Sequence, residues 1–343
     1  MNILMLSPIP VMPLNAGDRV RIWHLAQGLA RHTSVTLVLP KTEPVTTMHR
    51  PATPDGWPQA AEQQENLRLV TVPFPALTRW RQVKSMVSPW PYHVALRYQE
   101  AMQRAVAALL AQEDYTFVYC NFLQTLPYVT ATNLPIILDQ HNVDRIYWQR
   151  KLTAHLPRWR RWMIERNLAK NIRFEEKALP LLHGIVSVSE QDRHATATYA
   201  TPTVPHCLVT PNGVDTEHYR YRQPEITPAS KLTLGFLGSM ELALNQEAVL
   251  KKKKKIYPHV QQQLPAWEVD VLVIGRQPPP WLRSWSQSKP TQSITITGEV
   301  PDILPYLHRV DLLVLPLQSG AGTKLRVVEA MAAGVPVIGT PLA

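Results

Sequence analysis

A loop of small residues, followed by a threonine and a lysine, is the strongest candidate for chemistry in the sequence. Residues 319–322 follow a strand-like run and lead through Thr323 into a helix that contains Lys324, Arg326 and Glu329. Such a loop lets an anion approach unpaired backbone N–H groups at a helix start, and Lys324 adds a full charge. The same residues fit a plain glycine turn, a threonine N-cap and an exposed Arg326–Glu329 ion pair. The segment alone leaves both interpretations open.

Few other residues suggest catalysis by their type and spacing. His141 follows a strand-like run that ends at Asp139, but an isolated histidine at a strand end is more often an ordinary core or surface residue. No pair of carboxylates has the spacing that a glycosidase needs. The sequence also has no Asp-x-Asp metal motif and no defensible Ser-His-Asp order. These three kinds of site are therefore not expected.

Short β-branched runs alternate with helical segments along the chain, and these elements must position the candidate residues. Residues 1–40 read as strand, loop, helix and strand, and the pattern then recurs. Such alternation is typical of parallel sheets covered on both faces. The polar stretch 216–230 suits an interdomain linker. The sequence therefore predicts two Rossmann-like α/β domains, residues 1–215 and 231–343, the second of which reads as incomplete at its C-terminal end.

The composition limits the class of protein. The chain has 343 residues, of which 45% are apolar and 18% charged, so a disordered chain and a coiled coil are excluded. No apolar run approaches the roughly 18 residues of a membrane span, and the N-terminal run has no basic lead, so neither a transmembrane helix nor a signal peptide is expected. Two cysteines suggest neither a disulfide framework nor a zinc site, which favours a cytoplasmic location.

The formal net charge of +10 suggests a partner that carries phosphate, but the lysine run 251–255 supplies five of those charges. The run lies in the middle of a predicted helix. Successive side chains there fan out by about 100°, so the five lysines cannot converge on one ligand and at least one must point at the sheet. We expect local strain at Lys252 and Lys253 rather than an anion site.

A series of short motifs follows the chain in a recognisable order. They are PLNAGDRVRIWHLAQGLA, ILDQHNVD, VSVSEQD and VTPNGVDTEHY in the first domain, and FLGSM, VLVIGR, ITGEVPDILPYL, VDLLVLPL and KLRVVEAMAAGVPVIGT in the second. In content and order the chain resembles the retaining glycosyltransferases of the GT-B fold, specifically glycosyltransferase family 4 (group 1). The resemblance covers nearly the whole chain. It implies two Rossmann-like domains facing each other across a cleft, with a nucleoside diphosphate sugar at the carboxyl ends of the strands.

The resemblance also implies roles for particular residues. Glu329 would hold the ribose hydroxyls, Thr323 and Lys324 the diphosphate, and Gly17 the other side of that diphosphate, while His141 would face the transferred sugar. The other implied donor-binding residues are Gly238, Gly322, Arg276, which fits a solvated side chain equally well, and Val300 and Pro301, whose backbone would meet the base. The implied reaction is retaining transfer without cofactor or metal. The leaving nucleoside diphosphate is stabilised by Lys324 and helix amides, and can itself take the acceptor's proton.

Two departures from the family pattern bear on activity. Ala321 stands where many members carry the first of two glutamates, so a contact to the donor sugar is missing and the identity of the sugar stays open. The stretch GSMELALNQEA lacks the arginine and lysine found there in many members, which shifts the phosphate contacts onto Lys324 and Arg326. A catalytically inactive nucleotide-sugar-binding protein and a sugar-nucleotide epimerase on the same fold are the alternatives.

Two stretches, TRWRQVKSMVSPWPY and PRWRRWMIERNLAK, combine tryptophan with basic residues. They fit an amphipathic surface on anionic lipid, or solvated helices whose tryptophans pack inward. The expected partners are a nucleotide-sugar donor, a saccharide or lipid-linked acceptor and an anionic membrane, at the inner face of the plasma membrane. Surface polysaccharide or glycolipid synthesis is the expected role. Nucleic acid is not expected, because no recognition motif accompanies the charge.

Overall fold

The chain folds into two compact units, Met1–Pro211 and Asn212–Ala343. The computed structural model describes residues 1–14, 16–41, 65–73, 78–152, 156–200, 206–222, 231–287, 294–318 and 324–342. The predicted first domain ends at residue 215, whereas the first unit ends at Pro211.

The first unit is built on a parallel sheet, which within the described residues has seven strands in the order β3-β2-β1-β4-β5-β6-β7. The strands are β1 Asn2–Leu6, β2 Ser34–Lys41, β3 Leu67–Pro73, β4 Phe117–Asn121, β5 Ile136–Gln140, β6 Gly184–Ser187 and β7 Cys207–Val209. The α-helices are α1 Gly17–Ala30, α2 Arg79–Val87, α3 Tyr92–Arg97, α4 Glu100–Gln112, α5 Asp144–Arg150, α6 Arg158–Ala178 and α7 Glu190–Ala200. All pairings are parallel, as the alternation of strands and helices predicts.

Both faces of this sheet are buried. Leu4 and Leu6 of β1 belong to the core cluster that includes Val106 of α4. Ile3 and Met5 face the other way and belong to the cluster that includes Ile22 of α1. This is why β1 is a continuous apolar run rather than an alternating one.

The second unit has a parallel sheet of its own, with five strands in its described part in the order β10-β9-β8-β11-β12. The strands are β8 Lys231–Leu237, β9 Glu268–Ile274, β10 Ile294–Ile296, β11 Leu312–Leu315 and β12 Val337–Gly339. The α-helices are α8 Ala243–Lys251, α9 Tyr257–Gln263, α10 Pro280–Gln287, α11 Leu304–Leu307 and α12 Leu325–Ala332. Two parallel α/β sheets confirm the predicted fold class.

The segment predicted to be a linker is partly folded onto the second unit. Tyr219 packs against the core cluster of that unit. Its backbone N–H donates to the carbonyl of Asp215, which closes a turn. Residues 223–230 lie outside the described residues. The first part of residues 216–230 is therefore an element of the second unit.

The lysine run forms a π-helical turn, Lys252–Ile256, between α8 and α9. As predicted, one lysine points at the sheet: Lys252 is fully buried and its Nζ donates to the carbonyls of Leu234 and Gly235, at 2.9 and 2.8 Å. Lys253 instead lies over the ring of Trp285, with Nζ 5.5 Å from the ring centroid. Burial lowers the pKa of Lys252 from 10.5 to about 7.

We expect Lys252→Met to raise the melting temperature by several degrees at pH 7, for a gain of about 1–2 kcal/mol. Between pH 7 and 10.5 the unfolded chain binds the proton that the folded chain has released, so the wild-type protein gains stability as the pH rises through this window. The advantage of the variant should therefore shrink toward pH 10. Thermal unfolding at several pH values measures it, with exposed Lys254→Met as the control. A destabilised Lys252→Met would show that the two carbonyls need the amine.

In the described part of the chain, no helix combines the length and the apolar character needed to cross a membrane.

Candidate functional site

In the first unit, His141 lies where β5 ends, beside the point at which the strand order reverses. The chain runs from β1 outward to β2 and β3, and later from β4 in the other direction, so the ends of β1 and β4 flank this point. Open α/β sheets bind their ligands at such a position. Asn121 is the last residue of β4 and its Nδ2 donates to the carbonyl of Leu6 at the end of β1, 2.9 Å away. That bond directs Asn121 Oδ1 toward His141.

The His141 ring is buried and has one engaged nitrogen. Its Nε2 lies 3.4 Å from both Asn121 Oδ1 and Asp139 Oδ2, which are acceptors, so the hydrogen belongs on Nε2. Nδ1 is buried and has no hydrogen-bond partner among the described residues. A buried nitrogen without a partner is costly unless a ligand supplies one. The ring is therefore held by one nitrogen and can offer the other to a bound molecule.

Phe122 packs against the His141 ring from a strained backbone. The two ring centroids lie 4.0 Å apart, and Phe122 has φ of 65°, in the left-handed region that a bulky side chain rarely adopts. Such a conformation costs on the order of 1–3 kcal/mol and clusters at functional sites. The strain therefore supports a functional position for His141.

A buried ion pair fixes Asp139 behind the histidine. Arg21 of α1 donates from Nη2 to Asp139 Oδ1 at 2.9 Å and from Nε to Oδ2 at 3.0 Å, and its Nη1 donates to the carbonyl of Thr210. Burial opposes ionisation of Asp139, but hydrogen bonds from His141 and Arg21 outweigh it and hold its pKa below the usual range. Asp139 is therefore an ionised group that orients His141.

Gly17 is the exposed first residue of α1, four residues before Arg21. Ala16 provides no side-chain cap for this helix start. Gly17 and His141 thus belong to the same unit. Gly17 begins the helix whose Arg21 pairs with Asp139, and Asp139 in turn orients His141.

In the second unit, Glu329 of α12 is half-buried and accepts a hydrogen bond from Tyr219. Tyr219 Oη lies 3.2 Å from Glu329 Oε1. Burial raises the pKa of Glu329, and the Tyr219 hydrogen bond partly offsets that rise. The exposed Arg326–Glu329 pair considered from the sequence is not formed, because Arg326 donates elsewhere: its Nη1 bonds the carbonyl of Leu237 and Asn245 Oδ1, at 2.7 and 3.0 Å. Glu329 is thus a positioned acceptor rather than a surface charge.

Gly238, which follows β8, lies close to the side chain of Arg326. A Cβ there would lie 2.5 Å from Arg326 Nη1. Gly275, which follows β9, lies even closer to its neighbour, since a Cβ there would be 1.9 Å from the backbone carbonyl oxygen of Gly238. The two glycines let the strand-end loops and α12 pack closely together.

The other expected donor-binding residues occupy different surroundings. Lys324 is the N-cap residue of α12, which places it at the helix start, as expected. Arg276 pairs with Glu241, Nη2 to Oε2 at 2.8 Å, and its Nε donates to Ser239 Oγ. Val300 packs against the core of the unit, and Pro301 is exposed. Gly322 and Thr323, and Ala321 before them, lie outside the described residues.

Sequence reasoning missed several residues of these two clusters. They are Arg21, Asn121, Phe122, Asp139, Tyr219 and Asn245. Asp139 could have been found from the sequence, because it lies two positions before His141, and residues two apart along a strand lie on the same side of the sheet. Tyr219 could have been found as well, since it is the aromatic residue that closes the VTPNGVDTEHY motif.

The second unit also has a recognisable sequence. Residues 231–343 match the family model for glycosyl transferases group 1. No curated protein matches the chain by sequence. The matched residues include β8, Lys324, Arg326 and Glu329, whereas Tyr219, the partner of Glu329, precedes the matched segment.

Solved structures resemble the whole chain in fold. Sucrose-phosphate synthase from Thermosynechococcus elongatus superposes with a TM-score of 0.68 at 16% identity, covering 100% of this chain and 82% of that one. Anabaena HepE in complex with UDP and glucose gives 0.61 at 14% identity, covering 100% and 81%. An α,α-trehalose-phosphate synthase (UDP-forming) from Burkholderia vietnamiensis gives 0.57 at 12% identity, covering 100% and 85%. The chain therefore has the predicted GT-B fold, in which two Rossmann-like domains follow each other.

Proposed function

We propose that this protein is a glycosyltransferase that moves a sugar, with retention of configuration, from a nucleoside diphosphate sugar to a saccharide or lipid-linked acceptor. The observation that carries the proposal is the half-buried Glu329 of α12, which lies inside the segment that matches group 1 glycosyl transferases and accepts a hydrogen bond from Tyr219. A positioned carboxylate is suited to accept hydrogen bonds from two neighbouring hydroxyls, as ribose presents them. Because the similar HepE structure was solved with UDP and glucose, a uridine diphosphate sugar is the first donor to test.

Lys324 and the start of α12 are suited to the diphosphate. The lysine is the N-cap residue, and the first turn of a helix presents unpaired N–H groups. Both stabilise the negative charge that develops on the leaving group as the glycosidic bond breaks. In this proposal Arg326 positions the strand end rather than the phosphate, since its Nη1 donates to the carbonyl of Leu237 and to Asn245 Oδ1.

In the first unit, His141 would contact the transferred sugar through Nδ1, the nitrogen that has no partner in the part of the chain that the structure describes. Asp139 does not act as a nucleophile in this proposal, since Arg21 holds both of its oxygens. The proton of the acceptor would pass to the departing diphosphate. Retention is tested by the anomeric configuration of the first-formed product, measured by nuclear magnetic resonance. An inverted product would contradict it.

We expect Glu329→Ala and Lys324→Ala each to weaken donor binding by about 1–3 kcal/mol, because one removes the ribose acceptor and the other a charge facing the diphosphate. Isothermal titration with uridine diphosphate glucose, chosen from a thermal-shift screen of nucleoside diphosphate sugars, measures the effect. Glu247→Ala and Lys254→Ala, at exposed positions of the same unit, are the controls. Unchanged affinity in both site variants would contradict the assignment.

The pH dependence of donor affinity should follow the ionisation of Glu329. Because burial raises its pKa, the carboxylate is protonated at higher pH than an ordinary glutamate as the solution is acidified. Wild-type donor affinity should therefore fall early on acidification, whereas that of Glu329→Ala should not. This comparison separates loss of the acceptor from a general loss of folding.

We propose that no divalent metal is required, and we expect activity to survive excess EDTA. Among the described residues, no three His, Cys, Asp or Glu side chains lie together as metal ligands, whereas Lys324 and the helix amides can carry the leaving-group charge. Initial rates with and without chelator measure this. Complete loss of activity, restored by magnesium or manganese, would overturn the proposal.

One sequence feature favours a second function. Ala321 replaces a glutamate that would contact the donor sugar, which is the change expected in a protein that binds nucleotide sugars without transferring them. Donor binding at ordinary affinity, with no turnover across a panel of acceptors, would select this alternative.

A further inference from the structure

Helix α2 presents its apolar side chains to solvent. Trp80, Val83 and Val87 are spaced three, four and seven residues apart, which places them on one face of the helix. All three are exposed, Trp80 by 76%. The buried residue of α2 is Ser85. Surface helices of globular proteins normally have the reverse arrangement, with the apolar stripe inward.

Helix α6 likewise exposes apolar side chains and buries polar ones. Trp159 and Trp162 are 62% and 57% exposed. The inward positions are Asn167, Asn171, Glu175 and Ala178. The Glu175 carboxylate among them accepts hydrogen bonds from Asn171 Nδ2 and Arg145 Nε. The helix is thus anchored by polar contacts, and its tryptophans are not needed for the core.

Arginines accompany the exposed tryptophans of α6. The guanidinium carbon of Arg160 lies 5.7 Å from the Trp159 ring centroid, and that of Arg166 lies 5.4 Å from the ring centroid of Trp162. Within the described ranges, Arg158, Arg160 and Arg166 form no ion pair with a carboxylate. Helix α2 has basic residues and no acidic one. The charge beside the exposed apolar groups is therefore positive on both helices.

The two helices are tied together at their junction. Lys170 of α6 donates from Nζ to the carbonyls of Met86 and Ser88, at the end of α2. Asn167 Oδ1 accepts from the backbone N–H of Tyr92 at 2.7 Å. Trp162 lies eight residues before Lys170, or roughly 12 Å along the helix. The exposed faces of α2 and α6 thus belong to one connected part of the first unit.

We propose that these faces bind the surface of a lipid bilayer that contains anionic phospholipid. We define the docking surface as Trp80, Val83, Val87, Trp159 and Trp162 with Arg158, Arg160 and Arg166. Tryptophan prefers the interfacial depth of a bilayer, valine enters the apolar edge, and arginine binds lipid phosphate. This inference goes beyond the proposed function and does not depend on it.

The charge pattern favours a bilayer over a second copy of the chain. A twofold contact through this surface would bring the three arginines of one copy against the same three of the other. A nucleic acid would satisfy the arginines but leave the exposed valines in water. A membrane with anionic headgroups satisfies the charged and apolar groups together.

Flotation of the full chain with vesicles tests the proposal. We expect binding to phosphatidylcholine vesicles that contain phosphatidylglycerol, weaker binding to phosphatidylcholine alone, and loss of binding at high salt. Arg158→Gln, Arg160→Gln and Arg166→Gln combined should weaken the partition constant roughly fivefold per charge, or on the order of a hundredfold in total. The matched control combines Arg31→Gln, Arg104→Gln and Arg309→Gln, which changes the net charge equally at exposed sites elsewhere.

A second arm tests the tryptophans. Lipids brominated in the acyl chain should quench part of the fluorescence, and Trp80→Ser, Trp159→Ser and Trp162→Ser combined should abolish that quenching, while exposed Trp267→Ser leaves it unchanged. Absence of binding to anionic vesicles at low salt would overturn the proposal. So would an equal weakening of vesicle binding by the control substitutions of arginine. So would a wild-type dimer, seen by sedimentation, that the tryptophan variants dissociate.

Discussion

His141→Ala is expected to lower the turnover number by about a hundred- to a thousandfold while leaving the dissociation constant of the donor within about threefold. A side chain at the reaction centre acts mainly on the transition state, so its loss affects turnover rather than ground-state binding. Three observations point to such a position: Nδ1 has no hydrogen-bond partner among the residues that the structure describes, Asn121 and Asp139 orient the ring, and Phe122 beside it is strained.

The measurement is steady-state kinetics combined with titration of the donor. His24→Ala, at an exposed position of α1, controls for the loss of a histidine. Asn121→Ala should give a smaller loss, because it removes one of the two groups that orient the ring and leaves Asp139 in place. A Michaelis constant that rises while turnover stays intact would instead make His141 a binding residue.

The main strands could be predicted from the sequence because they are buried on both faces. A run such as β1 is apolar throughout, so it is recognised without knowing its neighbours. Strand β3 was not predicted. It lies at the edge of the sheet, beside β2, and Arg68 and Thr71 interrupt its apolar character. The burial that makes a central strand visible in the sequence is weaker at an edge.

For the lysine run 251–255, helical geometry predicts the burial of one side chain but not its partners. Five successive side chains on a helix must include one that faces the sheet, and Lys252 does. Its partners could not be predicted, because the π-helical turn changes the register and the accepting carbonyls of Leu234 and Gly235 lie on another element. Lys253, expected on the same face, packs on Trp285 instead.

The candidate site was predicted only where it is local in sequence. Lys324 and Glu329 belong to one motif, so it was expected that they lie close together, Lys324 at the start of α12 and Glu329 within the helix. The partner of Glu329 is Tyr219, which is separated from it by most of the second unit and was assigned to a linker. Contacts of this kind depend on how elements pack, and spacing along the chain does not encode them.

Asp139→Asn should reduce the free energy of unfolding of the first unit by about 3–5 kcal/mol. The asparagine has nearly the same shape, but it leaves the Arg21 guanidinium buried without a countercharge. Arg21 and Asp139 are 118 positions apart and their side chains are almost inaccessible, so neither solvent nor another described carboxylate can replace the lost partner. Urea unfolding, followed with a probe in each unit, measures the change.

The cost of leaving Arg21 without a countercharge differs from the net contribution of the ion pair to stability, which need not be large. A double substitution separates these two quantities. Arg21→Met combined with Asp139→Leu removes both charges, and it should recover most of the stability that Asp139→Asn loses.

Acidification gives an independent check of the ionised state of Asp139. Because the folded pKa of Asp139 lies below its unfolded value, its stabilising contribution is present above about pH 4 and is lost as the pH falls through the folded pKa. The wild-type first unit should therefore lose stability in that acidic range by more than the double variant. Equal acid sensitivity in the two proteins would show that Asp139 is not ionised in the fold, and the orientation proposed for His141 would lose its basis.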